Sequence, residues 1–208
     1  MSMCIASCRR YQYGATLLVT LLMLVVVLLL GIAAAQIALQ GEKSSRNDRD
    51  RQIAFQAAEA ALLDAEMDIE QSPDAGRSRS HIFSSSSALG FPGDTDAICG
   101  SGEQNIYLGL CRAMPEGAMP VWHLVNFLDN TSNTSHSVPY GRFTGQSFQV
   151  GAGSLPERVP RYIIELMMQR KAGGSADQVA YFYRITAIGF GTRETTQIVL
   201  QTFYRKAG

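Results

Sequence analysis

Residues 15–39 read ATLLVTLLMLVVVLLLGIAAAQIAL, and Thr20 and Gln36 are the main polar interruptions. No charged residue occurs from Tyr11 to Gly41, 31 positions in a row. Arg9 and Arg10 precede this run, and Glu42 and Lys43 end it. A bilayer core of ~30 Å is spanned by roughly 20 helical residues, so the stretch is long enough to cross a membrane. Arginines on the short N-terminal side place that end in the cytoplasm and send the remainder outward.

Two readings of this run compete at the level of the residues. One is a permanent membrane anchor. The other is a secretory signal, because Ala33-Ala34-Ala35 before Gln36 resembles a small-residue cleavage site. The next thirty residues argue against cleavage there. Gln40–Gln71 contains no proline, and Pro73 is the first in the chain. Phe55, Ala58, Leu62, Ala65 and Ile69 recur at intervals of three and four, the period of one helix face. Arg51, Glu59, Glu66 and Glu70 fall largely off that stripe. Arg51–Leu63 is also rich in alanine, a strong helix former. The pattern predicts one helix from Ala15 to Gln71, about 85 Å long at ~1.5 Å per residue. Gly31 and Gly41 are its weak points, each lowering helix propensity by about 1 kcal/mol.

Composition narrows the function classes. The chain is 46% hydrophobic and 17% charged, too apolar for a disordered chain. Its formal net charge is zero, and without Arg9 and Arg10 it would be slightly acidic. No basic face points to nucleic acid. The motifs HExxH, GxSxG and GxxxxGK[ST] do not occur. His81, His123 and His136 are isolated and read as surface or packing residues. Asp94, Asp96 and Glu103 could offer oxygen ligands to calcium, but the calcium-loop pattern is not met, so they read as solvated acids. Asn130-Thr131-Ser132 and Asn133-Thr134-Ser135 read as a polar loop. Trp122 reads as a core anchor. No cofactor or metal is expected.

The segment Arg9-Arg10-Tyr11-Gln12-Tyr13-Gly14, a short basic leader ending in glycine directly before an apolar helix, resembles a type IV prepilin. The block from Asn47 to Leu62, NDRDRQIAFQAAEAAL, resembles the N-terminal region of the PilX-type minor pilins. The run Tyr183–Gly191, ending in Val199-Leu200-Gln201-Thr202, is similar to that family's last strands. The resemblance implies a pilin-like subunit processed by prepilin peptidase between Gly14 and Ala15. It implies partners among the other minor pilins, the major pilin, the inner-membrane assembly platform and a large PilY-type tip adhesin. It further implies residence in the inner membrane before assembly and at the pilus tip afterwards, with roles in pilus biogenesis, twitching motility and adhesion. Within this frame residues 1–14 are the leader, 15–41 the membrane half of the helix and 42–71 its exported half. Residues 72–208 are then a globular domain outside the cytoplasm.

One departure from the family pattern carries information. Major pilins place a glutamate at the fifth residue after the cleavage glycine, where it is thought to neutralise a neighbour's free amine. Here that position is Val19, and the first mature residue is Ala15 instead of phenylalanine. A subunit without the carboxylate suits the filament tip; packing without that contact is the plainer alternative. The remaining rival from another class is an enzyme or ligand-binding domain held outside the membrane by an uncleaved helix.

Cys4 and Cys8 lie in the leader. Cys99 and Cys111 lie in the exported part, where disulfides persist. Gly100, Gly102 and Gly109 between them let the chain turn back. A bridge would stabilise by ~3 kcal/mol in the chain-entropy model. Two free thiols or metal ligands are the alternative, without histidine nearby at ligand spacing.

The fold class is α+β. Arg161–Gln169, Gln178–Ile188 and Thr195–Tyr204 are rich in Tyr, Phe, Ile, Val and Thr. Turn-like stretches separate them at Ala172–Ser175 and Gly189–Arg193. They are expected to form an antiparallel meander (161–205) packed on the exported half of the helix. Residues 72–160 carry the prolines and four consecutive serines, Ser84–Ser87, and read as an irregular, loop-rich insertion.

Overall fold

A computed structural model describes residues 14–93, 98–131, 133–170 and 179–206. Helix α1 runs unbroken from Ala15 to Glu70, 56 residues, through both Gly31 and Gly41. It ends just before the Ser72-Pro73 pair, where proline disfavours helix in the residue that precedes it. The described chain falls into two units divided between Asn47 and Asp48. In the first, the apolar side chains of α1 are exposed throughout, from Leu17 to Leu39. This helix is long and apolar enough to cross a membrane, with a best-window mean hydropathy of 3.1.

The second unit is α+β. Its sheet is built on strands β3 (Arg161–Arg170), β4 (Val179–Phe190) and β5 (Gln197–Tyr204), which pair antiparallel in sequence order. Residues 48–70 of α1 pack on one face of this sheet. Ala61, Ala65 and Ile69 meet Tyr162, Ile164, Tyr183, Ile185 and Ala187 in the main core.

The middle of the chain departs from expectation. It supplies β1 (Leu110–Arg112), which pairs parallel with β3, and β2 (Val138–Pro139), which pairs antiparallel with it. The sheet order is therefore β1-β3-β4-β5, with β2 also on β3, and not a pure antiparallel meander. The middle also contributes a single-turn helix, α2 (Val121–Leu124). A second core forms around Cys99, Cys111, Val121, Phe127, Ile163, Ile188 and Phe190. Short strands of two and three residues leave almost no period in the sequence, which is why the segment reads as loop.

Strand β4 does not stop at Gly189. It continues to Phe190, with Gly189 paired to Ile198, and the turn falls later. The glycine is there for close approach. A Cβ at Gly189 would collide with the Ala54 carbonyl and the Ala58 amide of α1. Small residues on both sides let helix backbone lie against sheet backbone. The expected turn at Ala172–Ser175 lies outside the described residues.

Candidate functional site

The face that α1 turns to the sheet is Asp50, Ala54, Ala57, Ala58, Ala61, Asp64, Ala65, Asp68 and Ile69, all buried. It is rotated from the apolar stripe seen in the sequence. Ala58, Ala65 and Ile69 are on it, and Leu62 is partly buried beside the main core. Phe55 is not: it is 41% exposed and points away, correcting the expected packing face. The reason is volume. At Gly189 the helix backbone lies directly on the strand, so the positions facing it must be alanine, and the larger Phe55 is displaced to the rim.

The missed members of the face are the alanines Ala54, Ala57 and Ala61 and three aspartates, and each aspartate is fastened to a different part of the domain. Asp50 holds the β4–β5 turn. Its carboxylate accepts hydrogen bonds from the Thr192 hydroxyl at 2.7 Å, from Thr196 Oγ1, from the Thr192 amide and from Arg193. Burial pushes this carboxyl up, but the hydrogen bonds from Thr196 and Thr192 outweigh it and hold the pKa down to about 2. Asp64 accepts from the Gly141 amide at 2.8 Å and from Thr144 Oγ1, tying down the loop before β3. Here burial dominates over those hydrogen bonds, and the pKa is raised.

Asp68 pairs with a buried cation. Arg79 Nε and Nη2 donate to it at 3.0 and 2.6 Å, and neither side chain is exposed. The Tyr162 hydroxyl donates to the same carboxylate at 2.9 Å. Arg79 Nη1 donates in addition to the Ile106 and Leu108 carbonyls, and its guanidinium lies 3.6 Å from the Phe143 ring centre. The Asp68–Arg79 pair thus joins helix, β3 and the middle loops. A buried charge is tolerated only when paired and hydrogen-bonded, and this one is. The signal in the sequence was available. Asp50, Ala54, Ala57, Ala61, Asp64 and Asp68 are spaced four, three, four, three and four, but a search for large apolar residues passes over alanine and aspartate.

Cys99 and Cys111 form a disulfide, buried in the second core. Trp122 packs partly buried against that core, with its ring stacked on His123 at 3.8 Å. Asp94 and Asp96 lie outside the described residues, and Glu103 offers its backbone carbonyl to Arg142. Among the described residues, no group of His, Cys, Asp or Glu is placed to hold a metal ion. Gly14 and Ala15 stand at the start of α1, and Val19 is 53% exposed on its first turns.

The chain therefore combines a long apolar helix, a pilin-like sheet packed on its second half, and a buried disulfide. Residues 14–63 match the family described as PilX N-terminal, and residues 107–206 match the one described as type IV pilus assembly protein PilX C-term. The chain belongs to the PilX family. No curated protein and no solved structure matches it. The PilX N-terminal match covers the apolar half of α1 and the start of its buried face; the PilX C-terminal match covers β1 to β5 and Cys111. A PilX protein takes part in type IV pilus assembly as a structural component that interacts with other parts of the pilus. The aspartate-bearing helix face is what fastens residues 48–70 of α1 to the sheet and its loops.

Proposed function

We propose that this chain is a non-enzymatic minor pilin that primes a type IV pilus and stays at or near its tip. The observation that carries this reading is Val19. In an apolar helical bundle an unpaired amine is expensive, and a subunit with valine at the fifth mature position has no carboxylate there to offer a neighbour. Repeated along the shaft, that omission would leave an amine unneutralised at each step; at the tip it occurs once.

Processing is part of the proposal. Prepilin peptidase cuts between Gly14 and Ala15 on the cytoplasmic face, and the new amine is methylated. Residues 15–41 hold the protein in the inner membrane, with the globular domain in the periplasm, until the assembly platform extracts it. Its neighbours are then other minor pilins, the major pilin and a large PilY-type tip adhesin, which links the subunit to twitching motility and adhesion.

Immunogold labelling of intact filaments tests the placement: gold at one end is expected, and gold spread along the shaft would exclude it. The mature N-terminus tests the processing. Sequencing should find Ala15 first, and a bulky residue in place of Gly14 should leave the precursor uncut.

A further inference from the structure

Between the apolar half of α1 and the half packed on the sheet, residues 41–48 read GEKSSRND. Five of these eight residues, Gly41, Ser44, Ser45, Asn47 and Asp48, are among the poorer helix formers, so an otherwise strong helix is weak here. The segment is exposed throughout, and the first buried side chain of α1 is Asp50. Its Glu42–Arg46 ion pair is open to solvent and adds little. The boundary between the two units of the chain falls at the same place, between Asn47 and Asp48. Packing does not account for the glycine. Gly189 is needed for close approach, whereas a Cβ at Gly41 would meet nothing within 4 Å, and Gly41 is not among the glycines with positive φ.

The same residues spell a helix end followed by a helix start. Glycine is the commonest residue just past a helix C-terminus, and Gly41 closes the uncharged run. Ser45 with Asp48 three residues later is a capping pattern ahead of Ile53-Ala54-Phe55. A hydroxyl at Ser45 can satisfy a free amide of the first turn, and an acid at Asp48 suits the positive end of a helix. Inside an unbroken helix neither signal is used. Glu42 and Lys43 show that backbone groups freed here meet water. Gly31 differs on both counts: Ile32-Ala33-Ala34-Ala35 after it holds no start signal, and a break within an apolar run would leave its backbone groups unsatisfied in lipid.

We infer that α1 is a two-state element, either unbroken from Ala15 to Glu70 or broken at residues 41–44, with Gly41 ending the apolar half and Ser45 capping the second half. The broken form gives up a few backbone hydrogen bonds to water and regains one cap. The second half stays fastened to its own domain in both forms, by Arg49 donating to Ser154 and by Asp50 accepting from Thr192. Residues 41–44 are therefore a hinge that lets the globular unit reorient without disturbing the apolar half. The inference rests on the apolar half entering lipid; it does not depend on cleavage at Gly14 or on placement at the tip.

The test is a spin-label distance measurement on the full chain in phospholipid nanodiscs. Labels replace the exposed Gln36 and Gln52 in a Cys4→Ser, Cys8→Ser background, which leaves the buried Cys99–Cys111 disulfide intact. An unbroken helix sets the labelled positions about 24 Å apart, at ~1.5 Å per residue. The expected result is two distance populations, one near that value and one displaced from it. Gly41→Ala combined with Ser45→Ala removes both signals and should leave only the unbroken distance. Ser45→Asp keeps a cap and should leave both populations, as should Gly31→Ala. Amides of residues 42–47 should exchange about tenfold or more slowly in the Gly41→Ala, Ser45→Ala variant than in the parent, with those of residues 55–66 unchanged. A single population near 24 Å in the parent, a second population that survives the double substitution, or its loss in Gly31→Ala or Ser45→Asp would each overturn the inference.

Discussion

Arg79 and Asp68 meet at 2.6 Å with neither side chain exposed to solvent. The pair links the end of α1 to a chain segment eleven residues later and, through Tyr162, to the sheet. Removing one partner of a buried ion pair strands the other charge and costs about 3–5 kcal/mol. Arg79→Met is therefore expected to destabilise the globular unit by that amount in denaturant titration. The double variant Asp68→Leu with Arg79→Met should be less destabilised than the sum of the two single changes. Additive losses would show that the two side chains do not interact.

Gly189 sets the distance between helix and sheet. Any side chain there meets the Ala54 and Ala58 backbone, so Gly189→Ala must push the elements apart. Overpacking of a well-filled site costs typically ~1–3 kcal/mol, and backbone gives less readily than side chains, so the upper end is expected. Gly31→Ala, in the other unit with nothing nearby, should leave stability of the globular part unchanged. Melting curves of the two variants side by side check the contrast.

Acid should loosen the β4–β5 turn through Asp50. Its folded pKa of about 2 lies below the ordinary 3.8, so its contribution is present above pH 3.8 and is lost as pH falls toward 2. Asp50→Asn is expected to lower stability at neutral pH by about 1–3 kcal/mol and to flatten the acid limb. Asp64 works with the opposite sign. Its raised pKa favours the folded state at acid pH and less so as pH rises past the ordinary carboxylate value. Asp64→Asn should therefore steepen the relative loss on acidification. Denaturant midpoints measured from pH 2 to 7 separate the two.

The Cys99–Cys111 disulfide closes a short loop, with a sequence separation of 12, inside the second core. Cys111→Ser should cost about 3 kcal/mol by lost loop constraint. Reductant should lower the melting temperature of the parent protein toward that of the variant and leave the variant unmoved. Alkylation of both thiols in the unreduced protein would contradict the bridge.

The apolar helix, the start of β3, the end of β5 and the general α+β class were legible from residues because each is a long run with one dominant period. An uncharged stretch of 31 residues admits few readings whatever surrounds it. The PilX resemblance likewise sat in contiguous blocks.

What the tertiary structure decided was which side of the second half of α1 faces the sheet. By hydrophobicity, Phe55 and Leu62 outrank Ala54, Asp64 and Asp68, and the ranking rotates the expected face from the observed one, leaving Phe55 exposed and Leu62 at its margin. Burial of an aspartate depends on partners far along the chain: Thr192 and Thr196 for Asp50, Gly141 and Thr144 for Asp64, Arg79 and Tyr162 for Asp68. Burial of an alanine depends on Gly189 standing opposite it. Neither condition is a local property of the helix sequence. The same holds for the small strands β1 and β2, which exist because β3 offers them an edge. Local period determined where the long elements run; complementarity between distant polar groups and small residues determined how they face one another.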